Sequence, residues 1–133
     1  MRPIFTRMLI LWLVATGVLA LAPAVSAADP GFAGTWVSID TDGSTQTLAI
    51  GRGSTPAVTD QDFYASSCAD AGAPSTHFLA TGRGTIDGSW LGVEFRNGGC
   101  GRYSIGQFGL SFGYDGGSDT LTDDFGITWY RSH

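Results

Sequence analysis

The residues best suited to chemistry are acids. In "IDTDGSTQTL", Ile39 to Leu48, Asp40 and Asp42 precede Gly43. Alternating acids before a glycine open a calcium loop of the EF-hand type, which wants acids at positions 1, 3 and 5, glycine at 6 and a bidentate glutamate at 12. With Gly43 at position 6, Ser38 stands at 1 and Ala49 at 12, so the bidentate ligand is missing. The stretch reads instead as a hairpin with Asp42-Gly43 at its tip, because both central residues of a type I′ turn need positive φ. A second pair, Asp60 and Asp62, lies two apart and therefore shares one face of an extended strand with Tyr64. Such a pair can do acid–base work or hold a cation. The expectation is a solvated face that discourages edge pairing. Asp123 and Asp124 are expected in a turn.

Other catalytic arrangements find little support. The chain has two histidines, and one, His133, is the last residue. His77 is expected on a strand with an ordinary hydrogen bond. No GxSxG elbow or HExxH pair occurs. The glycine-rich "GRGS" (Gly51–Ser54) and "TGRGT" (Thr81–Thr85) open no helix and are not phosphate loops. The chain is not read as an enzyme, and neither a resident metal nor a cofactor is expected. Cys68 and Cys100 are the whole cysteine complement. With no CxxC, they are expected to form one disulfide, stabilising by about 3.5–4 kcal/mol on a chain-entropy argument.

The positioning scaffold begins after a leader. Arg2 and Arg7 flank the start of an apolar run, "MLILWLVATGVLALA" (Met8–Ala22), and small residues follow in "AVSAAD". That is the architecture of a secretory signal peptide, cut after Ala27 or Ala28; a membrane anchor needs roughly 20 apolar residues. Residues 1–28 are therefore read as signal, and 29–133 as a single domain, exported to the periplasm or beyond the cell. Residues 29–133 keep five arginines and no lysine against twelve acids, a formal charge of −7. Such a chain lacks the basic face that phosphate contacts require, which excludes nucleic acid and disfavours an anionic membrane.

No stretch holds apolar residues at helical spacing for long enough to make a helix. Short segments rich in Val, Ile, Thr and aromatics alternate with the turn dipeptides Asp42-Gly43, Asp87-Gly88, Asn97-Gly98 and Asp115-Gly116. Strands are expected near 34–40, 45–51, 56–64, 76–86, 89–96, 101–106, 108–114, 119–123 and 126–131, with "SCADAGAPS" (Ser67–Ser75) as the one long loop. The fold class is all-β: a small up-and-down antiparallel barrel of about eight strands, which closes its edges. Alternation puts Leu91, Val93 and Phe95 opposite Trp90, Gly92 and Glu94, and Phe108, Leu110, Phe112 and Tyr114 opposite Gln107, Gly109, Ser111 and Gly113.

"GTW" (Gly34–Trp36) opens the first strand and "TWYR" (Thr128–Arg131) closes the last. This pairing resembles the calycin superfamily, lipocalins and avidins among it, whose barrels begin with Gly-x-Trp. In lipocalin-like members an arginine near the final strand covers that tryptophan. The resemblance implies that Trp36 sits at the barrel base with Arg131 stacked over it. "GTWVSIDTDGSTQTL" with "SDTLTDDFGITW" is also similar to small exported bacterial proteins without an assigned activity. "HFLATGRG" and "GSWLGVEF" resemble avidin strands, but no full biotin-contacting set accompanies them. The implied function is a non-catalytic barrel holding a small apolar ligand at its open end, with Trp90, Phe95, Phe108, Phe112 and Tyr114 as wall. The alternative is a protein-interaction or protease-inhibitor module of the envelope or secretome, acting on a secreted protein partner through an exposed arm, "ADPGF" (Ala28–Phe32). It resembles small lipocalin-like bacterial inhibitors of secreted metalloproteases.

Overall fold

A computed structural model describes residues 31–133; the expected signal segment, 1–28, lies outside the described residues. The described residues form eight antiparallel strands, β1 (Gly34–Ile39), β2 (Thr45–Ile50), β3 (Ala57–Asp62), β4 (Phe78–Asp87), β5 (Trp90–Cys100), β6 (Tyr103–Asp115), β7 (Thr120–Asp123) and β8 (Thr128–Arg131). Each pairs with its neighbour in sequence, and β8 returns to β1 to close the barrel. One short helix, α1 (Ser66–Asp70), lies in the connection between β3 and β4, where the sequence reading expects a plain loop. Cys68 on α1 is bonded to Cys100 at the end of β5. The disulfide thus ties the β3–β4 connection to the strand end beside it.

Two turns differ from expectation. The nine expected strands become eight because residues 103–115 run as one long strand. Asn97-Gly98 makes no turn. It falls where the β5–β6 register slips, a bulge in β5, and the same residue types that favour tight turns also favour bulges. The chain reverses instead at Gly101-Arg102, between paired Cys100 and Tyr103, with Gly101 at φ 62. The first hairpin does reverse around Asp42-Gly43, but through residues 40–44, since Ile39 pairs with Thr45.

The alternation expected for β5 and β6 holds. Leu91, Val93, Phe95 and Phe112 are buried, and Phe108, Leu110 and Tyr114 pack against the same core. Large side chains, Trp36, Trp129, Phe112, Leu121 and Leu91 among them, are fully buried and fill the interior toward the barrel's closed end. Interiors of barrels this narrow can be filled by their own side chains. The other half is different, because the strands are unequal. β6 has thirteen residues, yet β7 pairs only with its last four, Phe112–Asp115. The first part of β6 therefore has β5 on one side and no strand on the other, and the barrel wall is notched there.

Candidate functional site

At the closed end the polar groups are fully engaged. The Arg131 guanidinium lies 4.1 Å from the centre of the Trp36 ring. Its Nε donates to Asp119 Oδ2 at 2.7 Å, Nη1 to the Ala33 carbonyl at 2.8 Å, and Nη2 to Asp119 Oδ1 and the Gly31 carbonyl. Gly34 is required beneath it: φ is +141°, and a Cβ would sit 2.7 Å from Arg131 Nη1. Trp36 Nε1 donates to the Phe32 carbonyl at 2.8 Å, and Tyr114 Oη donates to Asp119 Oδ1. Arg131 holds the Asp119 carboxyl below the usual carboxylate range. Phe32 is fully buried against Tyr114. The expected exposed arm is corrected at this residue, because Phe32 plugs the closed end instead of projecting from it.

The open end holds a cavity of about 470 Å³. Its floor and one side come from β3 and β8, through Asp60, Asp62 and Trp129; the β1–β2 turn adds Asp40 and Thr41, and α1 adds Ser66 and Ser67. The notch in β6 forms another side. Phe108 and Leu110, which point inward, line the cavity together with Gln107 and Gly109, which alternate with them. Both faces of one strand can border a cavity only along its free edge. Across the notch stand Asp123 at the end of β7 and Phe125 and Ile127 from the β7–β8 turn. Gly98 makes room for the Phe108 ring, since a Cβ there would lie 3.0 Å from it. That ring stacks on Phe95 with centroids 4.8 Å apart.

Of the five expected wall residues, Phe108 alone borders this cavity. Phe95 and Phe112 are buried in the core, and Tyr114 belongs to the closed-end cluster with Phe32 and Trp36. Trp90 stands on the outer surface, 59% exposed, as its alternation with Leu91 requires. His77 precedes β4 and stacks on Phe63 with ring centroids 4.9 Å apart; it is not on a strand. Sequence reasoning missed Phe78, Leu110, Ile127, Trp129 and Asp123 as cavity residues.

The largest correction concerns Asp60 and Asp62. They are not on a solvated face: they point inward and are only 8% and 3% exposed. Their parity with buried Val58 on β3 explains the placement. Tyr64, beyond the strand end, is exposed. Asp62 Oδ1 accepts the Tyr64 amide. Asp123 is saturated: Oδ1 accepts the Phe125 and Ile127 amides, and Oδ2 accepts Trp129 Nε1 at 3.0 Å. It ends β7 and holds the following turn, as expected of that segment. Asp60 Oδ1 has no hydrogen-bond partner. Burial, followed by the charges of Asp62, Asp123 and Asp40, pushes the Asp60 carboxyl up to about 7. Asp40, Asp42 and Asp62 bring carboxylate oxygens within 4.8 Å of one another, a juxtaposition invisible in the first hairpin alone because β3 supplies the third acid. No family description, curated protein or solved structure matches the chain.

Proposed function

We propose that this is an exported, calycin-like binding barrel whose open end takes a small ligand with an apolar body. The supporting observation is the notched cavity, walled by Phe78, Phe108, Leu110, Ile127 and Trp129. Its volume, about 470 Å³, falls in the range of roughly 300–1,000 Å³ common for small-molecule sites, which are concave, mostly apolar and furnished with a few polar groups. Binding is the proposed role, not catalysis: Asp123 is committed to the turn and Trp129, and no nucleophile–base pair lines the cavity among the described residues. The disulfide agrees with an oxidising compartment, and no described helix is long and apolar enough to cross a membrane.

The test uses an uncharged fluorescent probe, N-phenyl-1-naphthylamine, with Trp129 at the cavity wall as an internal reporter. Saturable probe enhancement with matching quenching of protein fluorescence is expected. Leu110→Trp, which fills the notch from β6, should abolish it. A wild-type protein that gives no saturable signal would overturn the reading.

A further inference from the structure

The cavity is charged with one sign. Asp40 after β1, Asp60 and Asp62 on β3, and Asp123 on β7 all line it, and no lysine, arginine or histidine does among the described residues. Asp40, Asp62 and Asp123 each accept a main-chain amide. Asp60 differs. It sits between Leu48 on β2 and Ala80 on β4 in the strand ladder, both fully buried. It is more than nine-tenths buried, and its Oδ1 meets no donor. A buried polar atom left in this way is costly to the fold. A ligand N–H would supply the donor that the protein withholds. Aromatic rings of Phe78, Phe108, Phe125 and Trp129 border the same space, and ring faces attract cations.

We propose that the cavity binds an organic cation, a protonated amine on an apolar body, with its ammonium group donating to Asp60. The proposal rests on the cavity being a ligand site and adds the class of ligand. A divalent metal fits the surroundings less well. Calcium takes six to eight oxygens, whereas most of the surface this wall presents is apolar, and Asp40 and Asp62 already accept amides. The Asp40–Asp42–Asp62 trio supports no separate metal site, because Asp42 too is taken up by the Ser44 and Ser66 amides.

Protons must balance. Near neutral pH the Asp60 carboxyl is partly protonated, with Asp40, Asp62 and Asp123 facing it and only the Gln61 amide easing the charge. An arriving ammonium favours the carboxylate. Asp60 then loses its proton to solvent as the ion pair forms, so amine affinity rises with pH through about 7.

Titration calorimetry on the disulfide-bonded protein compares 2-phenylethylamine, 2-phenylethanol and 3-phenylpropionate, with calcium chloride as a further arm. At about pH 8 the amine should bind at least about tenfold tighter than the alcohol, and the carboxylate more weakly than either. Near neutral pH the measured heat should vary with buffer ionisation enthalpy, reporting proton release. Asp60→Asn should erase the preference for amine while N-phenyl-1-naphthylamine still binds. Equal binding of amine and alcohol, with the naphthyl probe bound, would overturn the cation proposal and leave the apolar-ligand reading standing. Failure of the naphthyl probe and all three phenyl compounds would remove both. Calcium binding without amine binding would assign the acids to a metal and overturn the proposal. Should Asp60→Asn not fold, the wild-type protein decides: amine binding that moves no proton contradicts it.

Discussion

At the closed end the half-buried Arg131 has a carboxylate, two main-chain carbonyls and an indole face as partners; at the open end Asp60 lies deeper and has an oxygen with none. The two charges sit in one small barrel, so the difference is not one of fold or size. The arginine's surroundings supply every partner that its charged form needs, and its role is complete within the chain. The aspartate's surroundings disfavour its charged form and supply other acids. Structural charges are usually paired when buried. A carboxyl kept with one oxygen unpartnered beside a cavity marks a place where stability has been given up, which is a common property of binding sites.

Removing the disulfide should have the largest effect on stability. Cys68→Ser with Cys100→Ser should cost about 3–4 kcal/mol in denaturant unfolding, and should weaken naphthyl-probe binding too, because α1 at the cavity rim is then untied. Unchanged probe affinity would show that the rim needs no tether. Arg131→Ala should cost about 2–4 kcal/mol, combining the lost indole contact with carbonyls left without a charged donor. Probe binding at the other end should survive in the folded fraction. If the probe is lost as readily as stability, the two ends are not independent.

The third effect has the opposite sign. With its pKa at about 7 against an ordinary 3.8, Asp60 binds more protons folded than unfolded between those values. Stability should therefore fall as pH rises from about 4 to about 7. Asp60→Asn should stabilise the protein by about 1–3 kcal/mol at pH 8, with the gain vanishing below about pH 4, where the native carboxyl is protonated in both states. An equal change at both pH values would mean that its charge is not the cause. The smallest effect is Asp119→Asn. Arg131 lowers the Asp119 pKa, so its contribution is present above the ordinary carboxylate value and fades as pH falls through the depressed one. A slight drop in melting temperature at neutral pH, absent in strong acid, is expected.

The closed end was more legible in the sequence than the open one. Gly34-x-Trp36 and Arg131 mark the ends of the barrel by residue type, and barrel closure brings them together through the β1–β8 pairing. The disulfide followed from two cysteines alone. The open end depends on strand lengths and register, which composition does not carry. The turn displaced from Asn97-Gly98 to Gly101-Arg102 lengthens β5, and residues 103–115 run on as one strand of which β7 pairs only the last four, which leaves the edge of β6 free. Residue type misled at Asp60 and Asp62, where acids suggest solvent. The signal that placed them was present: in "AVTDQD" both aspartates keep the parity of Val58. Parity outranks polarity when a strand has one face in a core. Trp90 obeyed the same rule in reverse, drawn outside by its alternation with Leu91.

The central claim is that Asp60 waits as a carboxyl for a cationic ligand. Carboxyl carbon-13 shifts of the aspartates, followed by NMR across pH with and without saturating 2-phenylethylamine, test it most directly. The account predicts one aspartate titrating near 7 in the free protein, identified by its loss in Asp60→Asn, and moved at least about one unit lower by the amine. An Asp60 that titrates with the ordinary carboxylates, or whose pKa near 7 does not move when the amine binds, would contradict it.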